Sequence, residues 1–301
     1  MSPTVSGQIE RILDGEICTQ FAADENSWHD LWHNKALGEL DPVASAVVGG
    51  ALSDRLSWVF VSGYQAALRK VFPRLPSEGW AAFAATEAKD DPDYPGTVLT
   101  GHDAANQLAL SGNKSWVAQS RKVRHLLVTA RSSDTPEGPP AECVWVDAES
   151  PGVSLSHRDS PAFLGEMSQG FAAFDDVLVE SDWVLPRLSA RSFGRTEPRF
   201  VMLSACGLML AHAVAAEDAK ALQTQLVATT LALAECCHEE QMPPQLMAEL
   251  DDSFARCAET FAATGISARV VSWVADNRLL RMYSRGVQNR AEKSRAKRKR
   301  H

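Results

Sequence analysis

No apolar run in this chain is long enough to cross a membrane, and its start, Met1-Ser2-Pro3-Thr4, lacks the basic-then-apolar pattern of a secretory signal. There is no CxxC pair. The six cysteines are scattered, and Cys236-Cys237 are immediate neighbours rather than a metal-ligand spacing. They read as reduced, mostly buried thiols of a cytoplasmic protein. Positive charge is in deficit: the formal net charge of -8 argues against nucleic acid as the main partner. Internal repeats are absent, as is any convincing nucleophile–base or metal constellation. His29 and His33 stand at i, i+4, but without a third ligand nearby they read as surface or interface histidines.

What is present suits a globular protein of several packed layers. The chain has 301 residues, of which 45% are hydrophobic, enough for a sizeable core. From Ser27 to about Phe72 the apolar spacing is helical, with Trp28, Leu31 and Trp32 on one face. Gly49-Gly50 reads as an interruption, and Pro73 and Pro76 close the region. Between Trp80 and about Val184 short β-branched runs replace the helical period. They are Thr97–Thr100, Leu108–Leu110, Ser115–Ala118, His125–Ala130, Cys143–Val146, Val153–Leu155 and Val177–Val179, and they predict an antiparallel barrel or sandwich. Asp134 to Pro140 reads as a surface loop. After Pro186 helices return: Arg199–Lys220, apolar nearly all round, then Leu222–Cys237, Gln245–Ala263 and a last segment from about Val270 to Arg290. The dense basic run Lys293 to Arg300 reads either as a solvated, frayed end or as a contact for an anion such as a CoA phosphate, an anionic lipid or nucleic acid. The fold class is therefore α+β. Residues 1–79 form an N-terminal helical region, 80–186 a β-domain, 187–290 a helical bundle and 291–301 a basic tail.

Three strings in order carry a resemblance. Phe83-Ala84-Ala85-Thr86-Glu87 is similar to the "TEP" segment of acyl-CoA dehydrogenases. Leu110-Ser111-Gly112-Asn113-Lys114-Ser115-Trp116-Val117-Ala118-Gln119 resembles their "LNGxKxWITN" strand pair. Gly170-Phe171-Ala172-Ala173-Phe174-Asp175-Asp176-Val177 resembles their "xFxDVxVP" strand. The order of helices, β-domain and bundle is also that family's, so the chain looks like a shortened, divergent member. The resemblance implies an FAD-dependent oxidoreductase of acyl-CoA metabolism, acting on the CH–CH group of an acyl-CoA or acyl-carrier thioester. It also implies a homo-oligomer, or a hetero-oligomer with a full-length homologue.

Such chemistry needs a held flavin, donors to its reduced ring and a base beside the α-carbon. By resemblance Trp116 falls where the family places a Trp against the isoalloxazine; the alternative is a core Trp in the barrel wall. Thr86 matches the Thr that bonds the pyrimidine edge of the ring. The Thr that bonds N5 is replaced by Ala118, which offers only its backbone N–H. Arg199-Phe200-Val201-Met202-Leu203 resembles the "ERLVL" helix, whose glutamate position is Pro198 here. Glu197, one residue earlier, is the candidate base, or else an acid favoured by a helix N-terminus.

Other family features are changed. Ala88-Lys89-Asp90-Asp91-Pro92-Asp93-Tyr94 is bulkier and more acidic than the family's "EPxAGSD" loop. Met282-Tyr283-Ser284-Arg285 resembles "LYRDA" but no "YEGT" follows. "RxxFG" is missing, and Thr264-Gly265-Ile266-Ser267 stands for "GGxG". These departures support an alternative: a catalytically degenerate, cofactor-poor relative that serves as a partner subunit or binding protein.

Overall fold

The structure, a computed structural model, describes residues 4–298 apart from 89, 90, 92, 102–106, 134–139, 141, 160, 186, 240 and 241. The middle of the acidic loop (Lys89, Asp90, Pro92), most of the loop from Asp134 and the last two residues of the basic run, Lys299 and Arg300, therefore lie outside the described residues. The chain divides into a helical unit, Met1–Ala67 with Arg195–His301, and a β unit, Leu68–Gly194.

The helices begin where the sequence supplies caps. Thr4 and Asp24 accept the Gly7 and Ser27 N–H groups at the starts of α1 (Val5–Leu13) and α2 (Glu25–Asn34). Asp41 accepts from Val43 ahead of α3 (Pro42–Leu52), where Pro42 occupies the first turn. Trp28 and Trp32 are buried as their spacing predicts. Trp28 stacks on Trp58 of α4 (Leu56–Val71) with centroids 5.7 Å apart.

Gly49-Gly50 does not interrupt anything: both lie inside α3. An added Cβ at Gly50 would collide with the Ser204 backbone, and one at Gly207 with the Val47 carbonyl, both on or against α5 (Arg187–Val214). Two helix backbones thus cross in contact, which outweighs the roughly 1 kcal/mol that glycine costs in a helix. The unit continues with α6 (Lys220–His238), α7 (Pro244–Ala263), the short α8 (Trp273–Asp276) and α9 (Arg278–Arg298). The basic run is helical as far as Arg298, extending the last helix rather than fraying from it. No helix among the described residues is long and apolar enough to cross a membrane. Of the cysteines Cys18 is exposed and the other five are buried, all as free thiols.

The β unit holds β1 (Trp80–Ala84), β2 (Val98–Gly101), β3 (Gln107–Ala118), β4 (Val123–Ser132), β5 (Glu142–Asp147), β6 (Val153–His157), β7 (Gln169–Glu180) and β8 (Val184–Leu185). Their order is β6-β7-β3-β2-β4-β5-β8, with β1 also on β4. The core of this unit comprises residues such as Leu110, Val117, Leu126, Val128, Val144 and Phe174. The expectation of a wholly antiparallel domain needs correcting, because β1 and β2 both pair parallel with β4. β1 runs along Val123–Val128, the chain leaves through residues 85–97, and β2 rejoins β4 at Arg131 in the same direction. A strand that is interrupted and resumed keeps its direction, so both pieces are parallel to their neighbour. The two expected runs around Gly112 are a single strand, β3, with irregular register at Leu110/Gly112 and Lys114/Val117.

Candidate functional site

The excursion between β1 and β2 brings two of the three motif strings together. The Thr86 carbonyl accepts the Ser115 N–H at 2.8 Å, tying the "TEP"-like segment to β3. Gly112 makes the approach possible: its φ is +117°, and a Cβ there would strike the Gly96 carbonyl.

Under this join lies a closed polar network. Lys114, with no exposed surface, donates to Glu87 Oε1 at 2.6 Å and to Thr129 Oγ1 at 3.1 Å. The Thr97 N–H donates to the same carboxylate oxygen at 3.1 Å, and the Arg131 guanidinium lies 2.8 Å from Oε2. Burial raises the Glu87 pKa, but Lys114, Arg131 and the Thr97 N–H together hold it below the ordinary carboxylate range. Burial lowers Lys114 to about 8 despite its partner, so it is still charged near pH 7. Lys114, Glu87, Thr97 and Thr129 are thus turned on one another. Glu87 and Lys114 are motif letters, yet sequence reasoning gave neither a role. The available signal was a lysine inside one motif string and an acid inside the neighbouring one.

Around this network the sequence-predicted residues fall as follows. Trp116 is half-buried, and its indole N–H donates to Gln169 Oε1 on β7 at 3.3 Å. Gln169 is held in turn, donating to the Phe163 carbonyl at 2.6 Å. Thr86 is exposed one hydrogen bond from Ser115. Arg158 donates to the Ser115 carbonyl at 3.1 Å and lies over the Phe171 ring at 4.6 Å. Thr86 and Arg158 thus both bond the backbone of Ser115, the residue next to Trp116 in β3. Ala118 does not join them, being fully buried with no exposed surface. Gln119 follows it with φ +55°, an unusual conformation for a buried non-glycine residue, and its amide donates to the Met167 sulfur at 3.8 Å.

Glu197 belongs to the helical unit. It was expected at a helix start, but α5 begins at Arg187 and carries both Glu197 and Pro198 in its interior. Pro198 merely removes one N–H from the ladder there, and the dipole argument for Glu197 falls away. What fixes the carboxyl is Tyr283 of α9, whose hydroxyl donates to it at 2.6 Å. Burial raises the Glu197 pKa, against the opposing pull of the Tyr283 bond and the Arg290 charge. Burial and the facing carboxylate push Tyr283 well up, so it stays a donor.

His29 and His33 approach to 3.1 Å between Nε2 atoms, one donating and the other accepting. Among the described residues no group of three His, Cys, Asp or Glu residues is placed to hold a metal.

No family model and no curated protein matches the sequence. Solved structures do match along nearly its full length. A FAD-dependent dehydrogenase aligns at TM-score 0.66 and 14% identity, over 98% of this chain and 99% of that one. Butyryl-CoA dehydrogenase from Megasphaera elsdenii aligns at 0.61 and 13%, over 96% and 100%. FkbI, described as acting in biosynthesis of the methoxymalonyl extender unit of a polyketide immunosuppressant, aligns at 0.58 and 18%, over 98% and 93%. At these identities the likeness is one of fold, and this chain has the acyl-CoA dehydrogenase fold.

Proposed function

We propose that this chain is a flavin-dependent oxidoreductase acting on the CH–CH group of an acyl thioester, with FAD as its cofactor. The observation that carries the reading is Trp116: a half-buried indole anchored through Gln169, next in β3 to Ser115, whose N–H the Thr86 carbonyl accepts. A ring held by its N–H keeps one face at a fixed angle, which suits stacking against a planar cofactor. Thr86 supplies a hydroxyl that can donate or accept at the edge of such a ring. Bound FAD would supply the acceptor for the β-hydrogen of the substrate.

Glu197 is the proposed base for the α-proton. Burial raises its pKa above the ordinary carboxylate range, and Tyr283 holds one oxygen while leaving lone pairs on the other. Tyr283 would thus position the carboxylate rather than exchange a proton itself.

Ala118 favours a second reading, a cofactor-poor partner subunit. Its full burial removes the donor that the family resemblance sets beside the reacting flavin atom. The two readings part on the visible spectrum of the purified chain, taken before and after incubation with FAD and desalting. The oxidoreductase reading expects a retained flavin band that Trp116→Ala weakens and that an acyl-CoA substrate bleaches. A chain that stays colourless overturns it.

A further inference from the structure

We infer that a cavity of about 350 Å³ in the β unit, where β5 and β7 meet the Trp183 turn, is a binding site for a small organic cation of the alkylammonium class. The inference goes beyond the flavin reading and does not depend on it.

Strand alternation builds the site. On β5, Val144 and Val146 belong to the core, so Trp145 and Asp147, both half-buried, stand on the opposite face. His125 of β4 is the direct cross-strand partner of Asp147 and shares that face. On β7 the exposed Leu178 and Glu180 alternate with the core residues Val177 and Val179. Trp183, between β7 and β8, closes the group. Its ring lies 4.4 Å from that of Trp145 at 82°, and the His125 ring lies 5.4 Å from Trp145 at 85°. Two rings thus stand at right angles to Trp145, and all three line the cavity.

Two features point to a cation. The first is aromatic, since the face of an indole attracts positive charge. The chain already uses this chemistry at the rim: Arg74 lies over the Trp183 ring at 5.0 Å and donates to the Asp182 carbonyl at 3.0 Å. Arg74 is not part of the lining, and among the described residues no cation lies over Trp145.

The second feature is charge. The described lining holds two carboxylates, Asp147 and Glu180, and neither lysine nor arginine. Arg124 is divided between Asp147, at 2.9 Å, and Glu149, so one guanidinium serves two acids. Glu180 has no ion-pair partner among the described residues. His125 adds a lone pair to this negative wall. Its Nε2 lies 3.2 Å from the Glu78 carbonyl, which can only accept, so Nε2 carries the proton. Burial lowers the His125 pKa, although the Glu78 carbonyl and Asp147 oppose it, and the ring is neutral near pH 7. Nδ1 is left as a bare acceptor, buried and without a partner among the described residues. A metal ion would need three or more converging ligands, and among the described residues no such group exists. Indole and leucine walls suit an organic cation instead, and the volume, at the low end for small-molecule sites, suits a small one.

The test is a titration of the full chain with choline at fixed ionic strength, followed through the tryptophan indole N–H resonances. A parallel titration uses the uncharged isostere in which a tert-butyl group replaces the trimethylammonium. Saturable one-to-one shifts are expected with choline and none with the isostere. Glu180→Gln, a change at an exposed position that keeps the fold, should weaken binding about threefold. Trp145→Leu, checked for folding by circular dichroism, should weaken it about tenfold. Should Trp145→Leu fail to fold, Glu180→Gln and the isostere still decide. Absence of saturable shifts, equal shifts with the isostere, or choline binding unchanged by Glu180→Gln would each overturn the inference. So would saturable binding of glucose that choline does not displace, which would make the indoles a sugar platform. None of these readings uses the flavin band, so a colourless protein that binds choline strikes only the flavin reading.

Discussion

The two units handle buried and half-buried charge in opposite ways. In the β unit Lys114 is sealed from solvent, and a carboxylate, a hydroxyl and an arginine close the network around it. In the helical unit six cations of α5 and α9 share a cavity with no carboxylate among its described lining, and the nearby half-buried acid, Glu197, is held by a neutral phenol. A closed network has all its partners within the chain and therefore serves the fold. An open one leaves electrostatic work undone, which is what a site offers to a ligand. Residues from recognisable motifs occur in both units, so motif membership does not distinguish the two roles. Charge balance does.

The largest effect is expected where the network is closed. Glu87→Gln would leave the Lys114 ammonium buried against an amide and destabilise the chain by about 3–5 kcal/mol, read from the urea midpoint at pH 7. Replacing both partners, Glu87→Leu with Lys114→Met, should cost less than the single change, because no uncompensated lysine charge remains at Lys114. The pH dependence has a definite sign. Glu87 is held below the ordinary carboxylate range, so its contribution is present above the unfolded pKa, about 4.3, and is lost as pH falls through the folded value. The gap between wild type and Glu87→Gln should therefore narrow in acid. A gap under about 1 kcal/mol at pH 7 would mean the network is not the structural device described.

A smaller effect of opposite sign is expected at Glu197. Its folded pKa is raised, so the folded state prefers the neutral acid and ionisation works against folding. Glu197→Gln keeps an acceptor for the Tyr283 hydroxyl and removes the burial cost of the charge. It should raise the melting temperature by a few degrees near pH 8, an advantage that fades as pH falls through the unfolded value of about 4.3, below which the carboxyl is neutral in both states. The same change should abolish turnover if Glu197 is the base. An unchanged melting temperature at pH 8 would mean the carboxylate is better solvated than its setting implies.

Much of the fold was legible in the sequence because strands and helices announce their period. β4, β5 and β6 lie where β-branched runs predict them, and α6 and α7 match their expected spans within a few residues. The misses have physical causes. β1 is Trp-Ala-Ala-Phe-Ala, with no β-branched residue, and its place is set by β4 alongside it. The start of α5 was hidden by Pro198, which reads as a first-turn proline and lies mid-helix. Gly49-Gly50 looked like a break because helix propensity is local, whereas backbone contact at Ser204 is tertiary. At the site, position and role separated. Trp116 and Thr86 could be named from the strings, but the burial of Ala118 and the Glu87–Lys114 pair depend on tertiary contacts, such as the Thr86–Ser115 bond to β3, which no local pattern encodes.

The smallest effect sharpens the comparison most, because it concerns the open network with no ligand added. Lys293 and Lys297 are like charges at i, i+4 on an exposed helical face that also looks toward Arg290 and Arg298. Such pairs repel by a few tenths of a kcal/mol, and the repulsion is screened by salt. Lys293→Gln/Lys297→Gln should therefore stabilise the chain slightly, by about 0.5 kcal/mol at low ionic strength, and the gain should vanish by about 0.5 M salt. Denaturation midpoints at several salt concentrations would measure it. If the variant is instead less stable at low salt, these lysines already have their counter-charges within the chain. The helical unit would then be as closed as the β unit, and the contrast between them would dissolve.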